Sequence, residues 1–193
     1  MEINFLVEMG SRFGRATSLL AAIPESNERH KKWALHHLEN EFGDLKGRVV
    51  AVLGLTYKPG TNTLRRSSAV EMCLDIYERG GKVVAYDPAV DQLPENLVGK
   101  ICLKQSVDDV LKGASAVVVA TSCPEFKTIE PNQLIDNMAP ASTPIFVLDA
   151  NGFLRSTLHE DSRVKYIMVG KAAAVVASGA DARSSVSSLV SKT

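Results

Sequence analysis

The segment Gly54-Leu55-Thr56-Tyr57-Lys58-Pro59 combines a glycine, an aromatic ring and a lysine directly after a short apolar run. A glycine at a strand end lets the backbone approach a ligand closely, and a lysine can contact a phosphate. A dinucleotide-binding loop, however, needs three glycines at fixed spacing to admit a pyrophosphate, and only Gly54 is in place here. Spacing alone therefore favours a tight turn with an exposed lysine over a nucleotide site.

The three cysteines, Cys73, Cys102 and Cys123, are widely spaced and form no Cys-x-x-Cys pair. This pattern argues against a zinc ribbon and a disulfide framework, and it favours a reduced, cytoplasmic setting. We predict that Cys73 and Cys102 are core residues, because one falls on the apolar face of a helix and the other in a strand. Cys123 falls in a strand-end loop, and no neighbouring histidine or cation is evident that would activate it as a nucleophile.

The four histidines do not indicate a metal site. His30, His36 and His37 belong to a polar helical segment, and His159 lies in a late loop. Adjacent residues of a helix point to different faces, so His36 and His37 would not converge on one ion. Solvated surface histidines are the preferred interpretation.

Charge and hydropathy argue against two classes of partner. Lys plus Arg and Asp plus Glu both total 22 of the 193 residues, so the formal net charge is zero. A nucleic-acid partner usually requires a basic excess or stripe. No apolar run approaches the roughly 20 residues needed to span a bilayer, and residues 1–5 lack the features of a signal peptide. We therefore expect neither a nucleic-acid nor a membrane partner.

Short apolar runs alternate with amphipathic segments from residue 48 onward. The runs lack polar alternation, which is typical of parallel strands covered on both faces. We predict an α/β fold with a Rossmann-like, doubly wound and mostly parallel sheet, preceded by an N-terminal helical segment. The predicted strands are 48–55, 82–86, 100–103, 116–121, 144–149 and 165–169, and the predicted helices between them are 67–79, 106–112 and 130–138.

This pattern divides the chain into three parts. Residues 1–45 form the helical segment, in two stretches with a break or kink near Ile23, because Pro24 follows. Residues 46–170 form the α/β domain. Residues 171–193 are expected to be a poorly ordered tail or a loose helix.

Three predicted strands end in loops that contain polar residues. In an open parallel sheet, ligands bind beyond the carboxyl ends of the strands, near the switch in strand order. We therefore expect the three loops to converge on one crevice. They are residues 54–58, 121–126 and 149–154.

A resemblance to a known family changes the interpretation of the first loop. The stretch Val52-Leu53-Gly54-Leu55-Thr56-Tyr57-Lys58-Pro59-Gly60-Thr61, followed by Leu64-Arg65, Ser67 and Ala69, resembles a family signature. That signature is Gly-Leu-(Ala/Ser/Thr)-(Phe/Tyr)-Lys-x-x-Thr-Asp-Asp-x-Arg-Glu-Ser-Pro-Ala, of the UDP-glucose/GDP-mannose dehydrogenase family. Further similar elements occur in the same order as in the family, at 27–30, 80–88, Thr121, Glu125-Phe126 and 149–151. The resemblance covers about residues 5–170.

The resemblance implies a particular architecture and reaction. The family has an N-terminal NAD-binding domain, a long central helix and a C-terminal domain that binds the substrate nucleotide. Its enzymes oxidise the C6 alcohol of a sugar nucleotide to a carboxylate, by two hydride transfers to NAD and through a thioester on a cysteine. This chain resembles only the end of the central helix and the C-terminal domain, and it contains neither the NAD-binding glycine unit nor the element of the nucleophilic cysteine.

From this resemblance we expect the substrate-binding domain of an NAD-dependent nucleotide-sugar dehydrogenase, with a UDP-sugar as its ligand. NAD would be the cofactor of the parent enzyme, bound mainly by the other domain. A homodimer through the N-terminal helix is also expected. Alone, the chain should bind a nucleotide without turnover.

The resemblance also assigns the candidate substrate-binding residues: Gly54, Tyr57, Lys58, Arg65 and Asn151. In the family, the lysine at the position of Lys58 lies against the substrate nucleotide. Arg65 is favoured as a loop organiser or interface residue, with a direct phosphate contact as the alternative. No catalytic residue is assigned.

Several positions depart from the family pattern. Asn62-Thr63 replaces two aspartates, Arg66 a glutamate, Ser68 a proline, and Asn151 an arginine that helps to hold the substrate. Loss of that cation would cost about 1–3 kcal/mol of binding if nothing replaced it. We hypothesise that Arg155 or Arg66 is the replacement.

Two other functions stay open on the sequence. A chain that kept the fold but lost its substrate contacts would serve as an assembly module, because the apolar face of the N-terminal helices needs a partner. A weaker alternative is a domain that binds CoA or another nucleotide.

Overall fold

The computed structural model describes residues 3–139 and 144–170. The N-terminal segment contains three helices, α1 (Ile3–Arg12), α2 (Ser18–Lys31) and α3 (Trp33–Phe42). The predicted tail, residues 171–193, lies outside the described residues.

Of the break or kink predicted near Ile23, the break is wrong, because Pro24 lies inside α2, and the kink stays a prediction. A proline removes one helical hydrogen bond, and no residue of α2 is fully buried, so water can satisfy the freed carbonyl group. The chain instead leaves the first helix at Gly14, whose φ of +60° ends a helix readily. A second interruption falls at Lys32, between α2 and α3.

The α/β part forms a six-stranded sheet in which every pair of neighbours is parallel. This confirms the predicted Rossmann-like, doubly wound fold. The strand order is β3-β2-β1-β4-β5-β6, so the order reverses between β1 and β4. The strands are β1 (Val49–Leu53), β2 (Lys82–Tyr86), β3 (Ile101–Leu103), β4 (Ala116–Val119), β5 (Ile145–Asp149) and β6 (Val164–Ile167).

Helices cover both faces of the sheet. They are α4 (Ser68–Glu78), α5 (Val107–Leu111), α6 (Pro131–Asn137) and α7 (Arg155–Leu158). One core cluster joins α3 and α4 to one face, and a second joins α5, α6 and α7 to the other. Because β4 and β5 are buried along their whole length, their apolar runs need no polar alternation.

Two local features differ from expectation. The short helix α7 and the 3-10 turns Glu95–Leu97 and Pro124–Thr128 were not predicted, since segments this short carry little periodic signal. Cys73 is buried as predicted, but Cys102 is exposed, so its assignment to the core is wrong. The reason is that β3 is an edge strand, in which Ile101 is buried and the next residue, Cys102, lies on the exposed face.

Within residues 3–139 and 144–170, no helix is both long enough and apolar enough to cross a membrane.

Candidate functional site

The loop after β1 leaves the sheet at the point where the strand order reverses. Its first residue, Gly54, has a φ of +91°, and its N–H donates a hydrogen bond to the Tyr86 carbonyl at 2.7 Å. A side chain at Gly54 would place its Cβ 2.8 Å from Oγ1 and 2.9 Å from the backbone nitrogen of Thr121. Only glycine therefore allows the loops after β1 and β4 to approach this closely.

Asp87 anchors the first half of this loop. Its Oδ2 accepts hydrogen bonds from the backbone N–H groups of Leu55 and Thr56, at 2.7 and 2.9 Å, and from the Thr56 hydroxyl at 3.0 Å. Its Oδ1 accepts from the Ala89 N–H at 2.9 Å. The carboxylate is buried, so this network fixes the backbone that leads to Tyr57.

Two side-chain hydroxyl groups and a backbone hydrogen bond also hold this loop in place. The Thr121 hydroxyl donates to the Thr56 carbonyl at 3.1 Å. The Ser67 hydroxyl donates to the Leu55 carbonyl at 2.6 Å, and it accepts from the Val70 N–H as the N-cap of α4. Tyr57 closes the loop by donating its N–H to Thr63. Unlike a plain turn, the loop is therefore held in place by hydrogen bonds with side chains, and the Tyr57 and Lys58 side chains are exposed.

These contacts leave no place for a dinucleotide at this loop. Leu55 and Thr56 occupy the loop with side chains, and their N–H groups are already bonded to Asp87. In dinucleotide-binding folds an acidic residue of the βαβ unit instead binds the ribose hydroxyls of the cofactor. The residues present therefore do not fit NAD here.

A cavity of about 450 Å³ opens between the N-terminal helices and the carboxyl end of the sheet. Its size falls within the range typical of small-molecule sites. Its lining comes from the end of α2, from α3, from α4 and the loop before it, from the end of β4 and from the loop after β5. The lining residues are Asn27, His30, Lys31, Trp33, Ala34, Tyr57, Arg66, Ser68, Ala69, Met72, Val118, Val119, Ala120, Ala150 and Asn151.

The lining of this cavity contains cations but no carboxylate. Lys31 is one cation, and its Nζ lies 2.9 Å from both Glu28 and Glu71, whose hydrogen bonds raise its pKa. Arg66 is the other, and it forms no ion pair within residues 3–139 and 144–170. Arg66 is therefore the charge of this lining that an anionic ligand could use, because Lys31 is already paired.

The structure brings together some of the predicted site residues. Tyr57 and Asn151 line the cavity, and Gly54 lies at the base of the loop that carries Tyr57. Lys58 does not line the cavity, but it is exposed beside it, with its Nζ 5.5 Å from the centre of the Tyr57 ring. Arg65 is exposed outside the cavity. Contacts of a ligand with these five residues remain predictions.

Asp149 holds the loop that carries Asn151. Its Oδ2 accepts from the Leu154 N–H at 2.7 Å and from the Tyr166 hydroxyl at 2.5 Å. Burial and the bond to Asp149 raise the pKa of Tyr166 well above its usual range, so this hydroxyl stays a donor. Asn151 therefore stands on a rigid turn at the mouth of the cavity.

Cys123 lies in a second, smaller cavity of about 220 Å³, which is also lined by Thr56 and Asp87. Burial raises the pKa of its thiol, which opposes formation of the thiolate. Burial, and then the hydrogen bond to Glu125, raise the pKa of the neighbouring Tyr86 to about 12, so it stays protonated at neutral pH. Cys123 is therefore not an activated nucleophile.

Sequence reasoning missed Asp87 as the anchor of the loop, whereas the expected approach of the loops 54–58 and 121–126 agrees with the contacts of Thr121 with Gly54 and Thr56. The available signal was that Asp87 follows β2 directly, at the edge of the sheet where ligand loops gather. It also missed His30 as a residue of the cavity lining, since a polar helical segment indicates only solvation.

Comparison with known proteins places these residues in a wider context. Residues 51–156, more than half of the chain, match the UDP-glucose/GDP-mannose dehydrogenase family, UDP binding domain. The UDP-glucose 6-dehydrogenase AglM of Haloferax volcanii is 35% identical over 117 residues, which are 61% of this chain and 27% of that protein. The UDP-glucose 6-dehydrogenase YwqF of Bacillus subtilis is 27% identical over 182 residues, which are 93% of this chain and 40% of that protein.

Solved structures give the same picture. A UDP-glucose dehydrogenase from Pyrobaculum islandicum has a TM-score of 0.64 and 25% identity, with 79% of this chain and 33% of that chain covered. The NDP-N-acetyl-D-galactosaminuronic acid dehydrogenase of Methanosarcina mazei has a TM-score of 0.66 at 17% identity, which shows the shared fold over 87% of this chain and 36% of that one. The chain thus spans less than half the length of these relatives.

Proposed function

Because this chain belongs to the UDP-glucose/GDP-mannose dehydrogenase family, through the UDP binding domain, we propose that it binds the nucleotide of a UDP-sugar. The ligand would lie in the cavity beside Tyr57 and Asn151. The observation that carries the proposal is that this cavity, at the carboxyl end of the sheet, contains Arg66 without an ion-pair partner in the described residues and has no carboxylate in its lining. A nucleoside diphosphate is an anion of suitable size for it.

The loop residues have complementary roles in this proposal. The Tyr57 ring is 57% exposed, and it can stack on a base or sugar without having to be uncovered first. Lys58 adds a mobile positive charge next to that ring for the phosphates. Gly54 and Asp87 fix the loop backbone that carries both side chains.

In the whole enzyme we propose oxidation of a UDP-hexose to a UDP-uronate, with two NAD reduced for each sugar oxidised. The names of the relatives support this reaction class. NAD and the nucleophilic cysteine would come from a part of the enzyme outside this chain, since neither the Gly54 loop nor Cys123 suits them. The setting would be the cytoplasm, and the assembly a homodimer through the N-terminal helices.

Calorimetry of the purified chain tests the proposal. We expect saturable heat with UDP and UDP-glucose and none with NAD, because the Leu55 and Thr56 N–H groups that a dinucleotide would need at the Gly54 loop are already bonded to Asp87. Lys58→Ala should weaken UDP binding by about tenfold, the value of one charge-assisted contact. Lys112→Ala is the matched control, since Lys112 follows α5 and faces the opposite edge of the sheet. Absence of heat with UDP would contradict the proposal.

A second function has one observation in its favour. Phe13 and Leu19, in the N-terminal segment, are 70% and 81% exposed. Apolar side chains exposed to this extent favour a partner, and a chain without nucleotide binding would then be an assembly module. Light scattering distinguishes the two functions, because an oligomer that gives no heat with UDP supports assembly alone.

A further inference from the structure

We infer that Arg66 is the cation that binds the nucleotide phosphates in this cavity. The inference rests on the proposed function and adds a residue-level determinant of ligand binding.

The position of Arg66 supports this assignment. Arg66 lies two residues before α4 and lines the same cavity as Tyr57 and Asn151. Arg155, the other arginine near Asn151 in sequence, begins α7 and does not line this cavity. Of these two arginines, only Arg66 lines the space that a ligand would fill.

The charge of Arg66 is free to act on a ligand. No carboxylate lines the cavity, and Arg66 has no ion-pair partner in the described part of the chain. Lys31, by contrast, is engaged with Glu28 and Glu71. A guanidinium group can bind a phosphate through two parallel hydrogen bonds, which a partly neutralised lysine cannot do.

The backbone of Arg66 is also unusual. Its φ is +60°, which no other non-glycine residue shares within residues 3–139 and 144–170. Glycine adopts a positive φ at lower energetic cost than other residues. An arginine at this position therefore keeps its side chain despite the backbone strain. Strained non-glycine residues of this kind cluster at ligand sites.

The N-terminus of α4 adds to the positive electrostatic potential beside Arg66. Ser68 and Ala69, the first two residues of this 11-residue helix, line the cavity next to Arg66. N–H groups in the first turn of a helix have no partner within the helix, and the helix dipole adds positive potential there. An anion held by Arg66 would therefore lie near a second source of positive charge.

Titration of UDP into Arg66 variants tests the inference. We expect Arg66→Ala to raise the dissociation constant about tenfold or more, and to reduce its dependence on salt concentration. Arg66→Gly should bind as weakly, yet it should unfold at a higher temperature than the parent chain, because glycine relieves the positive φ. Loss of binding in a more stable protein would exclude misfolding as the cause.

Arg15→Ala is the matched control, because Arg15 is an exposed arginine in the link between α1 and α2. It should bind UDP like the parent chain. If the parent binds UDP and Arg66→Ala binds equally well, the inference is overturned while the proposed function stands. A loss of binding in Arg155→Ala instead would assign the phosphate contact to Arg155 and also overturn it. If the parent chain does not bind UDP, the proposed function fails first.

Discussion

Replacement of Asp87 by alanine is expected to lower the free energy of unfolding by about 4 kcal/mol, through three buried donors that lose their acceptor. The Oδ2 atom of Asp87 serves the N–H groups of Leu55 and Thr56 and the Thr56 hydroxyl. None of these donors can turn to water, because Leu55 and Thr56 are buried. The loop would lose its anchor, and the affinity for UDP would fall together with stability.

Urea denaturation measures this effect directly. Asp87→Asn keeps the shape and one acceptor oxygen but loses the charge, and it should cost about half as much as the alanine variant. Asp91→Ala serves as the control, because Asp91 is exposed and its side chain makes no hydrogen bond within the described residues. A loss below about 1 kcal/mol for Asp87→Ala would show that the network does not brace the loop.

A methyl group at Gly54 is expected to have a comparable effect. Gly54→Ala would place a Cβ against Thr121, within 2.9 Å of its backbone nitrogen, at a φ of +91°. Backbone atoms cannot rotate away as the end of a flexible side chain can. We therefore expect the free energy of unfolding to fall by about 3 kcal/mol or more, and the Tyr57 and Lys58 side chains to be displaced.

Gly60→Ala separates the steric clash from backbone strain. Gly60 is in the same loop with a φ of +76°, but a Cβ there would meet no atom within 4 Å. Its cost should be only the strain of a positive φ, about 1 kcal/mol. Equal thermal destabilisation of the two variants would mean that the contact with Thr121 is not the constraint at Gly54.

The local sequence pattern was sufficient to predict the strands of the sheet, but it was not sufficient to predict where the N-terminal helices begin and end. The strand Lys82–Tyr86 was predicted to its exact bounds, because a buried apolar run between turn residues has few other solutions. The break at Pro24 was wrong, because a single proline in an exposed helix removes only one hydrogen bond.

The sequence predicted mainly those parts of the site that lie within a single segment of the chain. The role of Gly54 was implied by its place after a strand, but the contact that requires it comes from Thr121, which is distant in sequence. The cavity likewise joins Asn27, Arg66 and Asn151, and no local pattern states that these residues meet. Such convergence follows from the reversal of strand order and from the way the N-terminal helices pack on the sheet.

The central claim is that UDP binds in the cavity between the N-terminal helices and the carboxyl end of the sheet. Amide chemical-shift mapping of the isotope-labelled chain during a UDP titration tests it most directly. The account predicts saturable shifts at Tyr57, Ser68 and Asn151, with little change at Ile101 on the far edge strand. Shifts confined to residues outside this cavity, or no saturable shift with UDP, would contradict it.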